Sequence, residues 1–469
     1  MAVLQISFRS STTAWDRLEM FLGARRSRRG PVESLEAFEI ELHQMFAAAE
    51  AEALGQELAR FDIDSPVVAI DGIPHRRILR CESTYLASSG PVRILRSLYS
   101  TRHDGERAVC PMELRAGIVE GYWTPLAAKQ GAWAVAHLTP HEAADLFATV
   151  GGMRPSRSSL DRLPKQLSKR WERNRLRFES ILRSTERVPK DAVSVAVSLD
   201  GVKIPVKDGE ATPGKYWWGP GKFQEVGCAT LSLYDAEGER LRTIRMARMP
   251  ENYKTTVKSM LAAELQSVLK NRPDLRIVKV ADAALEPWKF LKQDLPPGIC
   301  IVDFYHAAEH LHTALQAAHG EGTAKCREEF ERLRHILRHD RRGVERVIRS
   351  LIYLRSRHPQ SKRLRTELAF FRKNRDRMAY AATAAKNLPI GSGVVEAACK
   401  TLATQRLRRS GMRWRHDGGQ AILTLRALAQ SDRFDNAWNL LAQTYRHPVA
   451  LPSKVAALQN LNHHRRVSV

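Results

Sequence analysis

Asp200, Asp282 and Glu396 are the residues of this 469-residue chain whose types and places could carry chemistry. Val193, Val195, Val197 and Leu199 alternate with Ala and Ser and run into Asp200-Gly201. That period of two predicts a strand ending at Asp200. Asp282 closes a second such run, Leu275 to Ala281. Glu396 sits on a helix predicted to start at Val394 and run to about Leu407, after the break Leu388-Pro-Ile-Gly-Ser-Gly393. Carboxylates are hard oxygen ligands, the kind that Mg²⁺ or Mn²⁺ takes. Two such ions can turn water or a 3′-hydroxyl into a nucleophile and stabilise the leaving oxygen of an in-line displacement at phosphate. Each residue also has a plain structural role open to it. Asp200-Gly201 could be a turn, Asp282 could cap a helix beginning near Glu286, and Glu396 could pair with Lys400 one turn on. The spacings are 82 and 114 residues, so only a fold could gather the three.

The elements that must position them are legible around those positions. Val226 to Tyr234 and Arg240 to Met249 flank Asp235-Ala-Glu-Gly238, a short loop with turn residues at both ends. Val257, Met260, Leu261, Leu265, Val268 and Leu269 repeat at helical spacing until Asn271-Arg-Pro273. Ile299 to Val302 is a fifth strand and ends on Asp303. Three antiparallel strands followed by helix-linked strands make an α/β layer with carboxylates at strand ends. In that topology the strands of Asp200 and Asp282 lie side by side. Asp303 also ends a strand and competes for the place of second metal ligand.

Charge points to the partner. Lys and Arg number 75 against 51 Asp and Glu, a net charge of +24 and a pI near 10.1. Residues 325–377 hold 18 cations and 7 carboxylates, so one stretch supplies +11 of that total. A concentrated excess of this kind fits a polyanion, nucleic acid first. The six cysteines are scattered with no Cys-x-x-Cys pair, which argues against a zinc ribbon or disulfide framework and fits a reducing cytoplasm. No apolar run reaches the ~20 residues of a membrane helix, and Met1 to Ser10 lack the order of a signal peptide.

Residues 1–32, with Arg25-Arg-Ser-Arg-Arg-Gly-Pro31, read as a loosely held arm, Glu33 to Phe61 as a long helix, and Ile78 to Thr101 as a small hairpin. Thr139-Pro-His-Glu142 is a capping box opening a helix to Val150. After Gly151-Gly152, Ser156 caps a second helix through Leu163, with Arg154, Arg157, Arg162 and Lys165 near it. Two short helices joined by a glycine turn and flanked by cations are the pattern of a helix-turn-helix. Arg173 to Pro189 then links into the strands. Past His306 the chain is helical to Asn387 with a basic face that includes Arg338 and Arg342. Arg406, Arg409, Arg413 and Arg415 cluster beyond Glu396, and Trp414 among them could stack on an unpaired base or pack beneath the last helices.

Val280-Ala-Asp282-Ala, Asp303-Phe-Tyr-His306, Gly391-Ser-Gly-Val-Val-Glu-Ala-Ala-Cys-Lys400 and Gln405-Arg-Leu-Arg-Arg-Ser-Gly-Met-Arg-Trp-Arg415 resemble the DDE transposases of bacterial insertion sequences, the ISKra type. The resemblance runs from about residue 110 to 447. It implies an α/β RNase H-like catalytic core, a mixed five-stranded sheet with helices, interrupted by an all-α insertion before the last carboxylate. The residues ahead of that core read, from their own pattern, as a mainly helical N-terminal DNA-binding region. The expected division is 1–105 (arm, helix and hairpin), 106–190 (helix-turn-helix at 139–170 and linker), 191–306 (first part of the core), 307–387 (basic insertion), 388–447 (final core helices) and 448–469 (basic tail). Asp200, Asp282 and Glu396 would hold two Mg²⁺ (or Mn²⁺) ions, with Asp303 and His306 as a supporting pair. The expected partners are double-stranded DNA, as terminal repeats and target, and further copies of the chain in a dimer or larger complex on DNA. No membrane is expected, and the expected place is the cytoplasm, on the nucleoid. Two alternatives stay open at this stage: an RNase H-like nuclease or resolvase without strand transfer, and a transposase-derived DNA-binding protein that no longer cuts.

Overall fold

A computed structural model of the chain describes residues 13–101, 108–207 and 222–451. They fall into two compact units, Met1–Arg170 with Asn436–Val469, and Trp171–Asp435. The first twelve residues of the expected arm, and the expected tail from 452, lie outside the described residues.

The first unit begins with α1 (Ala14–Ser27), so the second half of the expected arm is a helix. Thr13 and Asp16 close a capping box at its start, a signal that the Arg-rich end of the segment obscures in the sequence. After α2 (Leu35–Ala59) come β1 (Val67–Ile70), β2 (Ile73–Ala87) and β3 (Gly90–Ser100). They form a sheet ordered β3-β2-β1, and the short strand Val449–Ala450 adds to β1. The expected hairpin is therefore longer than its alternating part, and two residues of the expected tail are strand. Then come α3 (Pro111–Ala116), α4 (Pro125–His137) and α5 (Pro140–Val150). The Thr139–Glu142 capping box forms as read, and α5 stops at Gly151, whose φ of +83° suits glycine.

The second helix of the expected helix-turn-helix does not stop at Leu163. It is α6 (Arg157–Thr185), 29 residues long, and it absorbs the expected linker. Pro164 removes one backbone hydrogen bond without ending it. The reason is the apolar stripe Leu160, Leu163, Leu167, Trp171, Phe178, Leu182, buried at helical spacing on both sides of the proline. α5 packs on α4, so a pair of short helices closed on each other is not what this stretch builds.

In the second unit β4 (Ser194–Val206), β5 (Lys222–Tyr234), β6 (Arg240–Arg248), β7 (Arg276–Ala281) and β8 (Ile299–Val302) form a mixed sheet ordered β6-β5-β4-β7-β8. The first three strands are antiparallel, and β7 and β8 run parallel to β4. The crossovers carry α7 (Thr255–Asn271) and α8 (Leu285–Gln293), as parallel strands require. One expectation fails in a useful way: β4 does not end at Asp200. It pairs with β5 through Val206, while its pairing with β7 stops at Val197, so Asp200 stands where β4 parts from one neighbour and keeps the other.

Five helices follow: α9 (Phe304–His319), α10 (Ala324–His339), α11 (Gly343–Arg357), α12 (Lys362–Asn374) and α13 (Tyr380–Ala384). Leu311, Leu337, Leu351, Leu368 and Tyr380 bury them in the same core as Val197, Val280 and Ile301 of the sheet. α14 (Gly393–Ala398) continues through a π-helical turn, Cys399–Thr404, into α15 (Gln405–Leu407), and α16 (His416–Gln430) and α17 (Phe434–Gln443) complete the helices. No described helix is long and apolar enough to cross a membrane.

Candidate active site

Register places three aspartates at one level. Val197 pairs with Lys279, and three residues further along each parallel strand stand Asp200 and Asp282. Ala281 pairs with Val302, and one residue further stand Asp282 and Asp303. The Asp303 N–H donates to the Ala281 carbonyl at 2.8 Å, which carries the ladder one step past β8. Neighbouring strands lie about 4.8 Å apart, so the three aspartates stand side by side where the parallel pairing of β4, β7 and β8 ends, the place where open α/β sheets put ligands.

Their surroundings differ. Asp200 is half-buried; one oxygen accepts from the Gly201 N–H at 2.7 Å and the other faces the Cys399 thiol at 3.6 Å. Burial pushes its pKa up; the Gly201 hydrogen bond opposes this, the Asp282 charge adds to the rise, and Cys399 and Lys254 pull it down. Cys399 itself is held well above the usual thiol range by its hydrogen bond with Cys228, by burial and by Asp200, so it stands as a protonated donor. Cys228 lies directly across the ladder from Asp200. Asp282 accepts from the Ala284 N–H at 3.1 Å but does not cap α8, whose N-cap is Ala284 with no side-chain bond.

Asp303 is only 1% exposed, and both of its oxygens take backbone N–H groups, one from His306 at 2.7 Å and the other from Ser392. Ser392 in turn donates its hydroxyl to Glu396 at 2.7 Å. A chain of bonds therefore ties the end of β8 to the carboxylate of α14. Glu396 is exposed. It lies one helical turn before Cys399, the residue that meets Asp200, and α14 packs on β4 and β5.

His306 does not bond Asp303 through its ring. Its Nε2 lies 3.3 Å from Nε2 of His310, whose Nδ1 is 2.5 Å from buried Glu367 of α12, and His310 stacks on Phe370 at 3.6 Å. The Asp303–His306 pairing is made by carboxylate and main chain, as the N-cap of α9.

The chemistry of the donor set suits a hard divalent cation, and Asp200 beside Asp282 is a like-charge pair that a cation would relieve. In this geometry, however, no group of three His, Cys, Asp or Glu among the described residues stands close enough to hold one ion. Asp200 and Asp282 are brought together; Glu396 is turned to Ser392.

Of the expected DNA contacts, Arg154, Arg157, Arg162 and Lys165 are exposed, with Lys165 tied to Asp161 at 2.5 Å. Arg342, Arg409, Arg413 and Arg415 are exposed too, while Arg338 lies over the Phe304 ring at 5.6 Å. Arg406 must be withdrawn from that set. It is 2% exposed, its guanidinium over the Trp414 ring at 5.3 Å, because α15 turns it inward beside buried Leu407. Trp414 is half-buried, donates Nε1–H to the Leu407 carbonyl at 2.8 Å and bridges Val206 at the end of β4. That is the packing role weighed against stacking.

Sequence reading missed Lys254, which feels the Asp200 charge and pairs with Glu225 at 2.6 Å. Lys254 and Tyr253 both hold left-handed backbone, φ +53° and +54°, and Tyr253 is 84% exposed. Neither residue carries a sequence signal for that conformation. The π-helical turn after Glu396 was equally silent, though such turns gather at functional sites.

No family model matches the chain, and no curated protein matches it. Among solved structures, a Drosophila P element transposase strand transfer complex aligns with 76% of this chain and 85% of that one, at 12% identity and a TM-score of 0.25. A score that low equates no folds.

Proposed function

We propose that the chain is a DNA transposase with an RNase H-like core. The observation that carries this reading is the level placement of Asp200, where β4 parts from β7, beside Asp282 and Asp303 just past the ends of β7 and β8, with the Glu396 helix packed on β4. A hairpin-first sheet, two helix-linked parallel strands and a helical insertion before the last carboxylate agree with it. Asp200, Asp282 and Glu396 are the residues that would hold two Mg²⁺ or Mn²⁺ ions. Bound there, the ions would supply nucleophile activation and leaving-oxygen stabilisation in strand cleavage and strand transfer. Asp303, with both oxygens engaged by N–H groups, is a positioning residue for the Ser392–Glu396 segment. Exposed cations of the N-terminal unit and of the insertion would hold the terminal repeats by their phosphates, with steep salt dependence. Strand cleavage in a paired complex makes a dimer or larger assembly on DNA part of the reading.

The test is Mg²⁺-dependent cleavage of the host element's terminal repeat by the intact protein and by Asp282→Ala. Cleavage by the first and none by the second, with equal DNA binding, supports the reading. A second reading, a DNA-binding protein that does not cut, is favoured by one observation: among the described residues no three carboxylates are gathered for a metal ion. Binding without cleavage at any Mg²⁺ or Mn²⁺ concentration selects it, and cleavage without joining of a 3′-hydroxyl end selects a nuclease.

A further inference from the structure

Of the helices α10, α11 and α12, α10 exposes Glu328 and Glu331 and α11 exposes Glu345. α12 differs. Lys362, Arg363, Arg365, Arg372 and Lys373 are all exposed, and its one carboxylate, Glu367, is buried. Lys362, Arg365, Arg372 and Lys373 follow one another at intervals of three, seven and one, so they share a stripe along the outer face, with Thr366 and Ala369 between them. Among the described residues none of these five cations has a carboxylate within ion-pair distance. On the neighbouring helices part of the charge is compensated, since Arg334 of α10 pairs with Glu331 at 3.4 Å, Arg332 with Glu329 at 2.6 Å and Arg346 of α11 with Asp340. Arg349, Arg355 and Arg357 of α11 are exposed without a carboxylate in ion-pair reach among the described residues. Uncompensated cations along one helix repel each other, and an arrangement of this kind is relieved by a polyanion laid along it.

The inner face of the same helix is anchored firmly. Leu364, Leu368 and Phe371 are buried in the core of the second unit. Glu367 bonds His310 and Phe370 stacks on its ring, and both interactions land on α9, whose first residue follows Asp303. The stripe is therefore a rigid ridge fixed to the helix that begins at the carboxylate end of the sheet. From Lys362 to Lys373 it extends about 16 Å at 1.5 Å per residue, the rise of about five phosphates on one strand of a duplex.

We propose that the outer face of α12 is a binding ridge for the phosphate backbone of duplex DNA. This rests on the transposase reading for the identity of the polyanion, and it adds α12 to the basic face expected through Arg338, which lies over Phe304, and exposed Arg342. The ridge reads no sequence, since it offers charge and not base-edge recognition.

The experiment measures binding of the full chain to a labelled duplex of arbitrary sequence by anisotropy, across a salt series. The variants are Lys362→Gln/Arg365→Gln/Arg372→Gln/Lys373→Gln and, as a control, Arg334→Gln/Arg346→Gln, with circular dichroism on both to verify folding. Removing one cation that neutralises a phosphate reduces the slope of log K against log salt by about 0.9. The ridge variant is expected to show a slope shallower by about 2 to 4, and the control an unchanged one. An unchanged slope in the ridge variant overturns the proposal. So does an equal reduction per charge in the control, which would show that bulk charge alone binds. Because the duplex is uncut and of arbitrary sequence, this outcome is independent of the cleavage assay with Asp282→Ala. Failure of the ridge leaves the cleavage reading standing, and failure to cleave leaves the slope measurement interpretable.

Discussion

Asp303 grips the backbone N–H of Ser392, and so the end of β8 sets the place of the segment that carries Glu396. Asp303→Asn keeps the shape but turns one oxygen into an N–H donor facing an N–H. A buried donor left without its acceptor costs about 1–3 kcal/mol, and partners that orient site carboxylates typically matter 10–100-fold in activity. The variant is expected to cleave about 10–100-fold more slowly while still binding DNA, whereas Asp282→Ala is expected to give no cleavage. If Asp303→Asn abolishes cleavage and Asp282→Ala does not, the roles of the two aspartates are exchanged.

Asp200 opposes stability in the state seen here. Burial and the Asp282 charge hold its pKa above the ordinary value of 3.8. The folded state therefore binds more protons than the unfolded one between those two values. Stability falls as pH rises from about 3.8 through the raised pKa, and stays lower above it. Asp200→Asn removes that dependence. It is expected to lose cleavage and to melt higher than the intact protein at neutral pH, by about 2–4 °C for each ~1 kcal/mol recovered. The gap should close as the pH is lowered. A gap that is constant with pH would show that Asp200 is not carrying the effect. Added Mg²⁺ should narrow the gap as well, by stabilising the intact protein alone.

The sheet was legible because period-two alternation marks strands buried on a face. Ile299–Val302 appears as read, and the bounds of β6 and β7 shift by a single residue. What could not be read was where pairing stops. Asp200-Gly201 looks like an ending, yet β5 carries the strand past it, and Gly201 survives inside because the side chain of Glu225 occupies the space a Cβ would fill. The 29-residue α6 was hidden by Pro164, which propensity treats as a stop and a buried apolar stripe overrides. The site was legible in type but not in geometry. Side-chain direction puts Asp303 on Ser392, Glu367 on His310 and Arg406 under Trp414, and no spacing in the sequence encodes those pairings.

Arg406 and Arg413 make a pair of opposite fates within seven residues. Arg406→Ala removes a buried side chain that covers Trp414, and is expected to destabilise the second unit by about 2–4 kcal/mol with no change in the salt slope of DNA binding. Exposed Arg413→Ala is expected to lower the slope by about 0.9. Denaturant titration and the anisotropy series separate the two. An equally shallower slope in both would return Arg406 to the DNA surface.

Arg433 joins α6's exit to α7 from the end of α16. Its guanidinium is bidentate to Glu264 at 2.7 and 2.8 Å and to Glu186 at 2.7 and 2.6 Å, with 6% of the residue exposed. Burial works against its charge, but the hydrogen bonds with Glu264 and Glu186 win and hold it well above the usual range. Arg433→Met would leave Glu186 with Arg242 at 2.8 Å and Glu264 with Arg183 at 3.8 Å but take away the cation that joins them. The cost therefore falls below the ~3–5 kcal/mol of a buried pair that loses its sole partner. None of this touches Asp200, Asp282 or Glu396, so what cleavage remains in the folded fraction should be normal. The triple variant with Glu186→Gln and Glu264→Gln is expected to recover only part of that stability, since the amides relieve the facing charges but take a carboxylate partner from Arg242 and Arg183. Chemical denaturation of the three proteins decides it. If the single variant unfolds at the same denaturant concentration as the intact chain, the triad contributes nothing and Arg433 is held only by its neighbours' shape.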